Sequence, residues 1–375
     1  MKKSLKSLLT LAILASFTGA AYAQSSVTAY GTLDAGLSYA NTGNKLPVSA
    51  EGDKWSVESG ISQPSLIGFK GVEELGVSLK AIFQLEAGLQ INNGSNTDAT
   101  GNGGTGSFFN RASWVGLSGD FGTVMAGRQF TPLYNALKTL DPFQLGMAGN
   151  AANLMSIGGA NIVKGVPVGG NNVAFGGGGV VGQTNSMRYE SQTDSGMSAS
   201  FNYGFGGIQN SAQDGREIGV TLNYANGPLS LLVSYDAVNA IDNSHTFHTT
   251  LMGGIIDWSD LGLPIKTSMG YALNKGSDVV GGADVDTADV ILGLRIPMGK
   301  NEILASYIHK SDKSIASMDA EQYALGYTYA LSKRTALYSS IAMIVNKNAA
   351  DYTVGNATNV GTGVKVVDFG LRHSF

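Results

Sequence analysis

The sequence predicts an all-β fold, a transmembrane antiparallel barrel of about sixteen strands with one long loop turned into its lumen. Three observations carry that prediction: the pattern of the last ten residues, its recurrence along the chain, and the lack of any apolar run long enough for a spanning helix. The chain ends VVDFGLRHSF, in which Val367, Phe369, Leu371 and Phe375 share one face of a strand while Asp368, Arg372 and Ser374 share the other. A soluble edge strand has little use for an exposed terminal Phe. A strand with one face in lipid and the other in water has a use for both halves.

The first segment sets the compartment. Lys2, Lys3 and Lys6 precede an apolar run from Leu8 to Phe17, and Ala21-Tyr22-Ala23 supplies a small-x-small cleavage site, so residues 1–23 are expected to be a signal peptide and residues 24–375 the barrel. Cleavage there removes three lysines and no acid, which takes the formal charge from −4 to −7. Beyond residue 23 the chain has no stretch near the roughly 20 apolar residues of a spanning helix, so insertion by a barrel is the remaining route into a membrane. The 52 glycines, 15 tyrosines and 14 phenylalanines beside 8 prolines suit many strands, aromatic girdles and Gly-rich loops. With no cysteine in the chain, disulfides and thiolate chemistry are excluded. An acidic balance without basic clusters argues against a nucleic-acid partner, and no cofactor is expected.

Alternation then justifies the strands in order. Lys80, Gln84 and Glu86 oppose Ala81, Phe83, Leu85 and Ala87. Met197, Ala199, Phe201, Tyr203 and Phe205 oppose Ser198, Ser200, Asn202 and Gly204, and Ile218, Val220, Leu222 and Tyr224 oppose Glu217, Gly219, Thr221 and Asn223. Further on, Tyr323, Leu325, Tyr327, Tyr329 and Leu331 oppose Gln322, Ala324, Gly326, Thr328 and Ala330. Leu337, Ile341, Met343 and Val345 oppose Arg334, Ala336, Tyr338 and Ser340. The small, polar face reads as too wet for a packed core and suits a water-filled lumen. The pattern is mixed at 301–313 and blurred at 108–128.

Connections alternate in length. Tight turns are predicted at Glu73–Gly76, Gly119–Gly122, Thr193–Gly196, Asn226–Pro228, Met298–Asn301 and Leu331–Arg334. Between them lie longer loops near residues 41–59, 91–107, 206–215, 275–283 and 348–363. Short periplasmic turns and long external loops are the asymmetry of an outer-membrane barrel. From Gln129 to Thr184 no spanning strand is legible, only FTPLYNALKTLDPF with a brief helical look after Pro132 and then a Gly/Asn/Val-rich stretch. A loop of that length has a use if it folds into the barrel and narrows the lumen; otherwise it is a surface loop or a small separate domain.

Segments spread from end to end carry a family resemblance: SSVTAYGTLDAGLSY, GFKGVEELGVSLKAIFQLEAGL, FNRASWVGLSGDFGTVMAGRQFTPLY, NSMRYES, YALGYTYALSKRTALYSS and GLRHSF. Together they are specific, and the chain resembles the general diffusion porins of Gram-negative outer membranes, of the β-proteobacterial trimeric type. The resemblance implies a sixteen-stranded barrel, a homotrimer in contact with outer-membrane lipid and lipopolysaccharide, and a third loop folded into each pore. Small hydrophilic solutes and ions then pass by diffusion. It places Arg111 and Arg128 at the constriction, with Lys80 and Glu86 on the lumen-facing parity, and the long loop adds Lys138, Asp141 and Lys164. Phe375 becomes the assembly signal. One departure is Leu66, which stands where relatives usually carry an Arg before GFKG and weakens an inherited anion preference. A solvated strand-end charge is the plainer reading of Arg111 and Arg128.

Chemistry other than passage has little support in the sequence. Gly101-x-Gly103-x-x-Gly106 has neither the strand before it nor the helix after it that a dinucleotide site needs. His245 and His248 lack a third metal ligand. A barrel phospholipase is the alternative from another class, resting on His309 and Ser311 two apart on one strand face, with Asp312 where that family has Asn. Within transport, the alternative is a substrate-specific channel, but the aromatics fall mainly on the lipid parity.

Overall fold

A computed structural model of the chain describes residues 25–41, 53–97, 107–155, 182–207, 209–239, 246–280, 283–314, 317–348, 350, 352–356, 359–363 and 365–375. The expected signal peptide, Lys164, His245 and the glycines at 101–106 lie outside them. β1 (Ser26–Asn41) pairs through its first half with β3 (Leu66–Gly76) and through its second half with β2 (Asp53–Ser59), so β2 and β3 form a single stave broken at 60–65. β4 (Leu79–Gln90) joins β3 to β6 (Ala112–Gly119), and short β5 (Ser95–Thr97) extends its far end.

From there each stave pairs antiparallel with the next: β7 (Gly122–Phe130), β8 (Gly182–Glu190), β9 (Met197–Gly204), β10 (Glu217–Asn226), β11 (Leu229–Asn239), β12 (Thr246–Asp257), β13 (Lys266–Val280), β14 (Ala283–Met298), β15 (Asn301–Asp312), β16 (Ala320–Ala330) and β17 (Thr335–Asn346). A small separate hairpin comes next, β18 (Val354–Asn356) with β19 (Asn359–Gly363). β20 (Lys365–Ser374) pairs with both β17 and β1 and closes the ring at sixteen staves. Closure leaves no sheet edge, which is what a strand protein needs in a medium that cannot hydrogen-bond to its backbone.

Alternation is expressed as expected. Val115 is 61% exposed, Leu325 54% and Phe369 54% on the outward face, whereas Asp368 is 4% exposed on the other. In β15 the inward Leu304, Ser306, Ile308, Lys310 and Asp312 are all buried. That strand looked mixed in sequence because Leu304 and Ile308 are apolar residues on the inner face. The blur at 108–128 has a similar source, since Trp114 is in register with Gln84 and shares its inward parity.

Three local expectations need correcting. The loop expected at 41–59 ends in strand, because Asp53–Ser59 pairs with the second half of β1. Within the loop expected at 275–283, residues 275–280 and Ala283 are strand, because β13 and β14 stay paired from Lys266↔Arg295 out to Val280↔Ala283 across one irregularity. The turn placed at Glu73–Gly76 lies one step later. Glu73–Gly76 ends β3, and Val77 and Ser78 make the reversal at φ 39° and 63°. Lys80 draws Glu74 into the ladder with an ion pair of 2.8 Å.

The inner face is not uniformly wet. Helix α1 (Pro132–Leu140) and the residues after it to Met155 pack on the buried face of the wall, forming an apolar cluster with Phe247, Leu251, Ile291, Leu304, Ile308 and Ile344. Thr131 caps α1 by accepting from Tyr134 N–H, and Pro132 takes the first helical position, where no N–H is needed.

Candidate pore constriction

Where residues 131–155 press on the wall, the wall carries glycine. A Cβ at Gly219 of β10 would stand 3.0 Å from Pro132, at Gly253 of β12 2.6 Å from Leu140, at Gly293 of β14 2.8 Å from Pro142, and at Gly326 of β16 2.6 Å from Phe143. These distances leave no room for a side chain on the inner face. The glycines are therefore a track that fixes the lie of the loop across strands far apart in sequence.

Polar bonds fasten the far end. Asn153 donates to Gln322 Oε1 at 2.8 Å, Gln322 returns a bond to Gly149 O at 3.1 Å, and Ala148 N–H donates to Ser340 Oγ at 3.1 Å. Met147 N–H donates to Ile61 O in the break between β2 and β3. That break is itself held by Asp34, whose carboxylate accepts from the N–H groups of Ile61, Ser62 and Gln63 and from Tyr338 Oη at 2.6 Å.

Asp141, expected among the constriction charges, turns into its own loop. It is 1% exposed and accepts from the N–H groups of Phe143, Leu145 and Ala151 at 2.9–3.0 Å. Burial pushes its carboxyl up to about 6, against those three donors and the more distant charge of Arg295. Its visible work is to fold the segment after α1 into a compact turn.

The strands that the described part of the loop does not cover carry the other expected residues. Glu86 and Arg111 form an ion pair at 3.5 Å, both nearly buried, and Glu86 also accepts from Tyr30 Oη and Gln84 Nε2 at 2.8 Å. Gln84 and Glu86 thus share one face, as alternation requires. The Arg111 guanidinium lies 5.3 Å from the Phe130 ring centroid, Phe130 stacks on Tyr134 at 5.0 Å, and Lys138 Nζ stands 6.0 Å from the Tyr134 ring. One stack therefore connects the wall to α1 with a cation at each end. Arg128 Nε donates to Asn110 O beside this group. Lys80 is not brought in: it lies six residues along β4 from Glu86, about 20 Å at strand rise, paired with Glu74. Leu66 is in register with Gly88 and leaves an aliphatic group on the same inner parity as Glu86.

Several inward charges were not among the site residues expected from the sequence, although alternation puts Asp368 on the inward face. Lys310 and Asp289 form a fully buried pair at 2.8 Å, with Asn274 bonded to Asp289 at 2.9 Å. Asp34, Glu58 and Asp368 line the side near the loop's far end, and Arg188 sits inside with Glu190 at 2.7 Å. Asp368 interrupts an otherwise apolar strand at inward parity in VVDFG, and there parity was the available signal; Arg188 in GQTNSMRYE and Glu58 in DKWSVES lie in polar strands that give no such contrast.

Of the alternative motifs, His309 is in register with Glu321, its Nδ1 3.7 Å from that carboxylate. His248 accepts from or donates to Tyr235 Oη at 2.7 Å. No group of three or more His, Cys, Asp and Glu among the described residues is arranged to hold a metal.

The profile of the Gram-negative porin family matches residues 10–349. Outer membrane porin protein 32 of Delftia acidovorans is 31% identical, with 99% of each chain covered. An outer membrane porin of Bordetella pertussis is 29% identical over 96% of this chain and 99% of its own. Among solved structures, the anion-selective porin from Comamonas acidovorans superposes with a TM-score of 0.74 at 27% identity, covering 94% of this chain and all of that one. The trimer form of OmpT from Vibrio cholerae reaches 0.65 at 14% identity over 94% and 99% of the two chains, a likeness of fold alone. With a closed barrel, a lipid-suited outer face and full-length relatives that agree, the chain belongs to the Gram-negative porins, channel proteins of the outer membrane.

Proposed function

We propose that this porin is a passive, weakly anion-selective pore for small hydrophilic solutes, narrowed by residues 131–155. The observation that carries the reading is the packing of α1 and its continuation along the glycine track of the inner wall, because any segment held there takes cross-section from the water path. No energy source and no catalysis are involved.

The charge argument supports a weak preference for anions. Arg111, Arg128 and Lys138 stand against Glu86 around the stack between wall and helix, while Asp141 spends its charge on three N–H groups of its own loop. The acids on the far side are similarly engaged. Asp34 is held by backbone N–H groups and Tyr338, Asp368 by Ser340, and Glu58 by Lys54 at 3.5 Å. Low-dielectric walls focus what net field remains. The ion pair of Arg111 with Glu86, and Leu66 in place of a basic group, keep the excess small. The barrel is proposed to work as a homotrimer in the lipopolysaccharide-bearing membrane, with Phe375 as its assembly signal. In support, the terminal strand closes the ring and Phe375 exchanges both backbone bonds with Gly31 at 3.1 and 3.2 Å.

Liposome swelling tests the size limit. Uptake that falls steeply with sugar mass supports a general pore, and saturable uptake of one sugar supports the substrate-specific alternative. Arg111→Glu with Arg128→Glu is expected to abolish or invert the anion preference.

A further inference from the structure

Beside α1 the inner wall changes character. Along β12 to β16 the loop rests on apolar side chains, but between the helix and strands β8, β9 and β10 lies a cleft walled by hydroxyl, amide and carboxylate groups. Its volume is about 300 Å³, at the small end of the range for small-molecule pockets.

The strand register sets the pattern of that wall. Glu190, Ser200 and Thr221 are in register across β8, β9 and β10, and Ser198 with Asn223 forms a second row nearer the short turns. Directly opposed residues stand about 5 Å apart and the two rows about 7 Å apart, so the wall presents a grid of polar groups. Asn135 and Thr139, one turn apart on α1, close the opposite side. Thr139 and Thr193 are exposed, so the cleft opens toward the short-turn end of the lumen.

The lining decides what can bind. Its charges cancel, because Arg188 is committed to Glu190 at 2.7 Å and to Phe130 O at 2.9 Å, and neither an anion nor a cation finds a free counter-charge. No aromatic ring lines the cleft, so a flat apolar solute has nothing to lie on. The side chains of Asn135, Ser198 and Asn223 make no hydrogen bond to another described residue and stay available as donors and acceptors together. Glu190 gives Oε1 to Arg188, and with its side chain 44% exposed it keeps acceptor capacity to spare. A neutral solute rich in hydroxyls matches this set, since each O–H both donates and accepts.

We propose that this cleft is a weak subsite for neutral polyhydroxylated solutes of monosaccharide size, held between Asn135 of α1 and the row of Ser198 and Asn223. It rests on the reading of the barrel as an open pore and adds a stopping place beside the narrow zone. Half-saturation is on the order of 10 mM, because every hydroxyl that bonds to the cleft gives up a bond to water. The lining selects the class of solute and no single sugar, so uptake stays diffusive.

The test is a saturation-transfer NMR titration of D-glucose on the folded full chain in detergent, with a polyethylene glycol of similar mass as the solute that lacks the hydroxyl array. The expected result is a glucose signal that saturates and a glycol signal that does not. Asn135→Leu with Asn223→Leu, near-isosteric changes that remove both amides, weakens glucose binding by about tenfold. Ser198→Ala removes one hydroxyl, leaves the backbone ladder intact and weakens it by about threefold. A glucose signal that grows without saturating overturns the subsite. So does one matched by the glycol, or one unchanged in both variants. Conductance steps in salt alone, recorded on the same preparation, report on the pore separately: their absence contradicts the pore reading and leaves the binding result standing.

Discussion

Phe143→Ala probes how firmly the loop is held, because the ring is wedged between loop and wall and belongs to neither alone. Phe143 is 4% exposed, and its ring fills the space over Gly326 of β16 and over Gly149 of its own loop. Truncating a buried Phe costs about 3–5 kcal/mol. The barrel ladder is untouched, so the loss falls on loop docking and lowers the docked-to-undocked ratio by a factor of about 10² to several thousand. In single-channel records this is read as frequent excursions to a larger conductance, with an unchanged heat-modifiable band. Gly326→Ala alone inserts a Cβ 2.6 Å from the ring and should cost about 1–3 kcal/mol by overpacking. Combined, the new methyl occupies part of the space the ring vacated, and the pair should recover about 1–2 kcal/mol relative to additivity. Quiet, unchanged channels in Phe143→Ala, or strictly additive effects in the pair, would refute the idea that this contact sets the position of the loop.

The remaining predictions concern charge, length and assembly. Burial holds the Asp141 carboxyl at about 6, above its ordinary 3.8, so the folded loop binds that proton more tightly than the unfolded chain does. The resulting stabilisation, roughly 3 kcal/mol, is full below pH 3.8 and lost as pH rises through 6. Current noise from loop excursions should therefore increase between pH 5 and pH 7.5 by this term, and Asp141→Asn should flatten that step. Removing roughly residues 145–180 should raise conductance and the sugar size limit in liposome swelling, and unchanged values would place the loop outside the water path. Deleting Phe375 should lower the yield of heat-modifiable oligomer, while normal levels would count against its role in assembly. Mass analysis of the mature protein should give Gln24 as its first residue.

Strand identity was legible because lipid and lumen impose opposite demands on alternate residues. The terminal strand, from Val367 to Phe375, shows this most plainly. The pattern failed where the inner face meets protein instead of water. Leu304 and Ile308 read as noise in the sequence, yet they form part of the floor on which Phe143 and Leu140 rest. The glycine track was equally hidden: Gly219, Gly253, Gly293 and Gly326 are ordinary small residues in their own strands, and their alignment exists only after the barrel closes. Site charges were legible by parity and illegible by partner. Glu86 and Arg111 are 25 positions apart in sequence and meet through the pairing of β4 with β6. Asp141 reads as a free acid beside Leu140, and its three backbone partners depend on a turn that no local motif announced.

The central claim is that this barrel is an open water path whose narrow zone carries a small positive excess. Current–voltage curves from single insertions in a planar bilayer, recorded across a tenfold KCl gradient, test it most directly. The account predicts stepwise, ohmic conductance and a small reversal potential of the sign given by chloride outrunning potassium. A membrane that shows no conductance steps, or a reversal potential of the potassium sign in the unaltered protein, would contradict it.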